Sequence, residues 1–333
     1  MQAFAVRDQS QISEARRGAL LLARSLSASE TVSGRIAITV TELATNLFRH
    51  GSGGEILLGT YEDPTGSGLE CVSLDKGRGM DNIEACLRDG YSTAGSSGTG
   101  LGAVMRQSDV AEIYSRPGQG TAVLTRFELD ATRTRAQIQV APWGGVSLAK
   151  ANEEVCGDAW SVHRDRNGDS VIMVADGLGH GPMAADASQQ AVRLFQKHCD
   201  RSTSEIIELM HAGMRASRGA AVAIARLDAE RSRVLFAGVG NITGTLHSAQ
   251  GVRKMVSHNG TVGHAVRKVQ EFAYEFSGTP LVLLCSDGLG TSWSLDRYPG
   301  LMTRHPTLIS AILYRDFNRE RDDVTVVAGR SDV

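Results

Sequence analysis

Four aspartates in the second half of the chain stand where they could hold divalent metal. Asp176 follows the apolar run Val-Ile-Met-Val-Ala, and Asp287 follows Leu-Val-Leu-Leu-Cys-Ser. Asp322 and Asp323 come just before the apolar run 324–328, and Asp158 precedes another strand-like stretch. A carboxylate at the end of a buried strand is costly unless it is paired or bound to a cation. Hard divalent ions take oxygen ligands of this kind, and carboxylates from several strands can converge at one edge of a sheet. Two ions about 3.5–4 Å apart would hold a bridging water or hydroxide and polarise a phosphoryl group for in-line attack, with no covalent intermediate. The glycines after Asp176 and Asp287 let the backbone approach a metal closely, and the Gly177 carbonyl is itself a candidate ligand. One Asp-Gly pair alone reads more simply as a turn; the full set carries the chemistry.

A second constellation lies upstream. Glu42 and Asn46 are four apart on a predicted helix and share a face that His50 continues, while Ile38, Leu43, Leu47 and Phe48 are expected to face the core. By itself this polar stripe reads as a solvated helix face. Two later segments change that reading. Asp75-Lys-Gly77-Arg-Gly79 follows a predicted strand, and Gly98, Gly100 and Gly102 alternate through the start of a predicted helix. Glycines ahead of a helix N-terminus let backbone amides cradle phosphates, helped by the helix dipole. A helical Glu/Asn pair followed by these two loops points to a nucleotide.

Residues 13–26 have helical spacing, and Ser29 or Ser33 can cap a second helix running to about residue 49. Strands are expected at 55–61 and 69–74 around a turn-forming segment, helices near 82–88 and 101–108, and strands at 111–115 and 121–129. Residues 130–137 are polar and lack apolar periodicity, which places one domain at 1–130, a linker at 131–137 and a second domain at 138–333. The second half alternates strand-like runs (170–175, 221–227, 234–238, 281–285, 324–328) with helical ones (183–198, 204–216, 307–317), and no repeat relates the halves. Both are expected to be α+β.

A chain of 333 residues suits two such domains. Its net charge of −2 gives no global attraction to nucleic acid or anionic membrane. No apolar run approaches membrane-spanning length, and residues 1–14 lack an export pattern. Cys71, Cys86, Cys156, Cys199 and Cys285 are odd in number and scattered, so neither a disulfide framework nor a zinc site is expected and a reducing cytosol fits.

The motifs Gly157-Asp158, Ala-Asp176-Gly-Leu-Gly-His180-Gly, Ser286-Asp287-Gly-Leu and Asp322-Asp-Val-Thr resemble those of the PPM-type phosphatases, in the bacterial SpoIIE/RsbX branch. That resemblance implies a β-sandwich flanked by helices that uses two Mn²⁺ or Mg²⁺ ions to remove phosphate from phosphoserine or phosphothreonine. It makes Asp176 the carboxylate that bridges both metals and Gly177 the carbonyl ligand. Asp287 and Asp322 would be ligands of one ion and Asp158 would serve the other, with Asp323 an alternative to Asp322. No counterpart of the phosphate-binding Arg of eukaryotic relatives is found, and His180 is either a support for the site or a plain loop histidine. The N-terminal order of motifs resembles the GHKL ATP-binding (Bergerat) α/β sandwich, particularly the anti-sigma-type serine kinases of the RsbT and RsbW kind; residues 88–94 look closest to RsbT. This implies Asn46 on Mg²⁺ between ATP phosphates, Asp75 on the adenine amino group with Gly77 and Gly79 shaping that wall, and Gly98, Gly100 and Gly102 around the phosphates. Thr121 would stand behind the adenine and Glu42 would be the general base toward a substrate hydroxyl. Together the resemblances imply a bifunctional kinase–phosphatase of a bacterial partner-switching pathway. Its substrate would be a STAS-type protein, a sigma factor is a further partner, and homodimers are common among such kinases. The alternative is a non-catalytic N-terminal half, either a nucleotide- or partner-sensing module or an anti-sigma binding module, that controls the phosphatase.

Overall fold

The computed structural model describes residues 1–63, 66–87, 100–129 and 141–331. The described chain divides into two compact units. The first comprises Met1–Ala141 with Thr303–Arg315, the second Pro142–Met302 with Asp316–Val333.

The first unit is one antiparallel sheet with helices on it. Its elements are β1 (Gln2–Val6), α1 (Gln9–Ser25), α2 (Glu30–His50), β2 (Gly54–Asp63), β3 (Gly66–Asp75), α3 (Ile83–Leu87), α4 (Gly100–Gln107), β4 (Val110–Ser115) and β5 (Thr121–Glu128). The strand order is β1-β2-β3-β5-β4. Asp8 and Gln11 form a capping box at α1, and Ser29 caps α2 through the Val32 amide. Ile36, Val40, Leu43 and Leu47 put one stripe of α2 into a core with Ile56, Leu58, Cys71, Val123 and Phe127 from alternate strand positions. Ile38 and Phe48 lie off that stripe and turn outward, 48% and 41% exposed, contrary to the sequence reading.

The second unit is a two-sheet sandwich. Its strands are β6 (Trp143–Leu148), β7 (Asp158–Arg164), β8 (Ser170–Gly177), β9 (Ala220–Asp228), β10 (Arg233–Val239), β11 (Thr243–Ser248), β12 (Gly251–Met255), β13 (Gly260–Thr261), β14 (Ala265–Val266), β15 (Phe272–Glu275), β16 (Leu281–Cys285) and β17 (Val324–Arg330). One sheet runs β15-β10-β9-β8-β7 and the other β12-β11-β16-β17-β6. Helices α5 (Pro182–His198) and α6 (Thr203–Gly213) complete this unit. Alternation along β8 explains the layers. Ile172 and Val174 meet Leu246, Val282, Leu284 and Val327 between the sheets, while Val171, Met173 and Ala175 join Phe195, Ile206 and Ile207 of the helices. A strand buried on both faces reads as an unbroken apolar run, which is why 171–175 looks as it does in the sequence.

Helix α7 (Pro306–Phe317) lies between β16 and β17 in the chain, yet Thr303–Arg315 groups with the first unit. It crosses the sheet face opposite α1 and α2. The His305 amide donates to Glu112 Oε2 (2.6 Å), Thr307 Oγ1 to Glu70 Oε2 (3.1 Å) and Tyr314 OH to Glu55 Oε2 (3.0 Å). Glu70 also pairs with Arg126 at 2.6 Å, both side chains almost fully buried, and the Arg126 guanidinium stacks over Tyr61. Burial pushes the Cys71, Cys156 and Cys285 thiols up to about 12, so these cysteines are inert packing groups.

Candidate functional site

In the second unit the register of β7 and β8 sets Asp158 opposite Asp176. Asp158 is 4% exposed, and its Oδ2 accepts a 2.6 Å hydrogen bond from Ser286 Oγ. Ser286 is fixed in turn, its amide donating to the Thr325 carbonyl and its Oγ accepting the Thr325 amide. Asp287 follows directly, and Asn241 Nδ2 donates to its Oδ2 at 2.8 Å. Burial, then the charges of Asp158, Asp287 and Asp322, raises the Asp176 carboxyl to about 9. Asp158 is raised to about 7 by burial, against the Ser286 hydrogen bond and with the charges of Asp323 and Asp287 adding to the rise. The two titrate together as one unit. The four carboxylates thus feel one another, and among the described residues none forms an ion pair with Lys, Arg or His.

Asp322 and Asp323 separate clearly. Asp323 Oδ1 accepts the Lys150 amide at 2.8 Å, its other oxygen lies against Gly157, and the side chain is buried. It ties loops together while its charge bears on Asp158, whereas Asp322 is the one whose charge reaches Asp176. A Cβ on Gly177 would run into the Ala184 carbonyl, so only glycine fits where that backbone closes on α5. His180 Nδ1 pairs with Glu153 Oε1 at 2.6 Å, on a half-exposed loop beside the cluster.

As it stands, no group of three or more His, Cys, Asp or Glu among the described residues is arranged to hold a metal ion. The aspartates form an open, mutually repelling cluster that a cation would draw together. Oxygen donors only, no competing basic partner and a glycine carbonyl beside Asp176 fit hard divalent ions. The sequence reading missed Ser286, Asn241 and Glu153. Only Ser286 carried a signal, as a hydroxyl directly before the Asp-Gly pair. It also missed Arg218, whose Nη1 would lie 3.1 Å from a Cβ on Gly179, placing a guanidinium beside the Asp176 loop.

In the first unit, Glu42 and Asn46 face the start of α4. A Cβ on Gly100 would sit 2.7 Å from Glu42 Oε2 and 3.9 Å from Asn46 Oδ1. Asp75, at the end of β3, accepts the Gly77 amide (2.8 Å) and the Thr121 amide (3.2 Å) through Oδ1. Burial raises its pKa, and those two amides oppose the rise. Gly79 has φ +70°, and a Cβ there would run into the Arg116 carbonyl. Thr121 Oγ1 lies 2.9 Å from Ser115 Oγ, which also accepts the Met80 amide. His50 is held below its ordinary pKa, first by burial and then by Arg78 and Arg49. The structure therefore brings Glu42, Asn46 and Gly100 together and Asp75, Gly77, Gly79 and Thr121 together, with Gly102 buried on α4. Gly98, residues 88–94 and the 131–137 linker lie outside the described residues. A half-buried carboxylate acceptor, a glycine wall and a polar helix face against a glycine helix start fit a purine nucleotide.

Residues 5–127 match the family described as the histidine kinase-like ATPase domain, and residues 166–331 match Stage II sporulation protein E (SpoIIE). Two curated relatives come from Bacillus subtilis (strain 168). The serine/threonine-protein kinase RsbT is 34% identical over 89 residues, 27% of this chain and 67% of RsbT. The phosphoserine phosphatase RsbX is 31% identical over 104 residues, 31% of this chain and 52% of RsbX, so the chain spans about half the length of that relative. A solved chain described as "The bacterial stressosome: a modular system that has been adapted to control secondary messenger signaling" aligns with TM-score 0.52 and 28% identity, covering 57% of this chain and 98% of that one. A crystal structure of RsbX in complex with magnesium aligns with TM-score 0.50 and 23% identity over 56% of this chain and 94% of that one, a likeness of fold. The chain belongs to the histidine kinase-like ATPase family through its first half, which is related to RsbT, and its second half matches the SpoIIE model and shares the PPM fold of RsbX.

Proposed function

We propose that the second unit is a Mn²⁺- or Mg²⁺-dependent phosphatase of phosphoserine or phosphothreonine in a protein, and that the first binds Mg·ATP and phosphorylates a serine or threonine. The observation that carries the phosphatase reading is the convergence of Asp158, Asp176, Asp287 and Asp322 without a basic partner. Asp176 would bridge two ions, Asp287 and Asp322 would hold one and Asp158 the other, with the Gly177 carbonyl beside them. Bound there, the ions supply an activated water and neutralise phosphoryl charge. Ser286 keeps Asp158 oriented, and Asn241 does the same for Asp287. In the first unit Asn46 would hold Mg²⁺. Asp75 would accept from the adenine, with Gly77, Gly79 and Thr121 around it, and Gly98, Gly100 and Gly102 would line the phosphates. Glu42 then stands where a carboxylate oxygen takes the proton of the substrate hydroxyl.

The RsbT-like and RsbX-like halves support a STAS-type substrate in a cytoplasmic partner-switching pathway, with a sigma factor as a further partner and homodimerisation through the kinase-like half. Among the described residues no helix is long and apolar enough to cross a membrane. All five cysteines are free, which suits a reducing compartment. Manganese-dependent hydrolysis of p-nitrophenyl phosphate, lost in Asp176→Asn, tests the phosphatase; wild-type protein inactive toward both this ester and a phosphorylated STAS protein would refute it. Mass spectrometry of a STAS protein incubated with Mg·ATP tests the kinase. Transfer is expected with wild type and lost in Glu42→Gln, which still binds nucleotide. Transfer that survives Glu42→Gln would remove Glu42 from the chemistry.

A further inference from the structure

We propose a second role for the nucleotide site: through α7 and the residues that follow it, occupancy of the Asp75 pocket sets the geometry of the Asp287 turn, so that a nucleoside triphosphate is an effector of the phosphatase. The inference rests on the nucleotide and metal readings above and adds the route between them.

That route begins in the first unit. From Pro306 to Tyr314 every residue of α7 is buried, so the helix moves as a packed body. Hydrogen bonds from His305, just before the helix, and from Thr307 and Tyr314 within it run across β4, β3 and β2 through Glu112, Glu70 and Glu55. Another falls on the nucleotide wall itself, where Arg315 Nη1 donates to the Asp75 main-chain carbonyl at 2.9 Å. That carbonyl has little room, since a Cβ on Gly120 would run into it. The Asp75 side chain is bonded to Gly77 and Thr121. A ligand that draws on this carboxylate therefore loads the same short segment that holds Arg315.

The route ends in the second unit, which the chain re-enters at Asp316. Asp316 accepts from Tyr298 OH at 2.7 Å. The Gly290 amide donates to the Phe317 carbonyl (2.8 Å), the Arg319 amide donates to the Gly288 carbonyl (3.0 Å), and Leu289 and Asn318 form a β-bridge. Residues 317–319 thus clamp the three residues after Asp287, and Asp322 follows shortly along the same strand of chain. From Arg315 to Phe317 is two residues, at most about 7 Å of chain. A stiff helix end tied to one site and a two-residue link tied to the other leave little slack to absorb a shift.

The test uses the full chain, a non-hydrolysable ATP analogue with Mg²⁺, and three readouts: fluorescent-nucleotide displacement, manganese-dependent p-nitrophenyl phosphate hydrolysis, and exchange of the Gly290 and Arg319 amide hydrogens. In wild type, bound nucleotide is expected to change hydrolysis by about fivefold or more and to change exchange at those amides. Arg315→Ala is expected to bind nucleotide and hydrolyse the ester while losing both responses. Tyr314→Phe removes a bond to Glu55 on the same helix and is expected to keep them, which separates the route from general loosening of α7. Nucleotide bound to wild type with no change in either readout overturns the inference, as does Arg315→Ala responding like wild type. Absent hydrolysis in every state would sink the phosphatase reading alone, because exchange still decides the coupling; absent nucleotide binding would sink this inference together with the nucleotide reading.

Discussion

The acidic cluster makes a quantitative prediction about stability without metal. The Asp176 carboxyl, ordinary in an unfolded chain, is raised to about 9 in the fold by burial and by Asp158, Asp287 and Asp322. A raised folded pKa means that the native state binds the proton more tightly. Its contribution is fully present below the unfolded pKa and is lost as pH rises toward the folded one. Each pH unit inside that window costs about 1.4 kcal/mol, so metal-free protein should lose about 3 kcal/mol between about pH 5 and about pH 7. Asp158, raised to about 7, acts in the same direction. For a unit of this size the loss corresponds to a fall of roughly 6–12 °C in Tm. Asp176→Asn keeps the shape and removes the titration. In EDTA its melting temperature should therefore depend less on pH and should exceed wild type near neutrality. Adding Mn²⁺ should reverse the ranking, because the ion replaces the proton only in wild type. Calorimetric scans across this pH range, with EDTA and with Mn²⁺, supply both comparisons. Equal pH slopes in the two proteins, or equal stabilisation by Mn²⁺, would refute the view of the cluster as a set of carboxylates waiting for a cation.

Three further perturbations probe other parts of the argument. Asn241→Ala removes the 2.8 Å hydrogen bond to Asp287 and should weaken Mn²⁺ binding by about tenfold in titration calorimetry; unchanged affinity would make Asn241 a bystander. Gly79→Ala forces a Cβ into the Arg116 carbonyl at a positive φ. It should abolish fluorescent-nucleotide binding and destabilise the first unit by on the order of 2 kcal/mol, read from denaturant unfolding. Glu70→Ala removes the buried carboxylate that pairs with Arg126 on the face crossed by α7 and should cost about 3–5 kcal/mol in the same assay; a loss under 1 kcal/mol, roughly a surface pair's worth, would contradict its burial.

The sequence shows the acidic cluster because burial and charge collide there. Val171–Ala175 reads as one apolar run since β8 is covered on both faces, and an aspartate directly after such a run needs a reason. It does not show which of Asp322 and Asp323 faces the cluster, because adjacent carboxylates differ only in where the strand turns them. The Lys150 amide, distant in the chain, takes up one oxygen of Asp323. Asn241 carries no local signal at all, since its meaning comes only from facing Asp287. Helix α7 shows the same limit at a larger scale. Its periodicity and length are legible, and the predicted 307–317 falls within the observed Pro306–Phe317. Its partners are not, for they are Glu55, Glu70 and Glu112, between 193 and 259 residues upstream. Nothing local marks those glutamates as covered, because an antiparallel sheet can leave one face open. What covers them, Glu70 almost fully and Glu55 and Glu112 in part, is a helix that the chain order assigns to the other half. Local pattern thus specifies elements and the chemistry at their ends, whereas the pairing of a fully buried helix with a distant sheet face is a property of the folded chain, and it is through such a pairing that one of these sites can answer to the other.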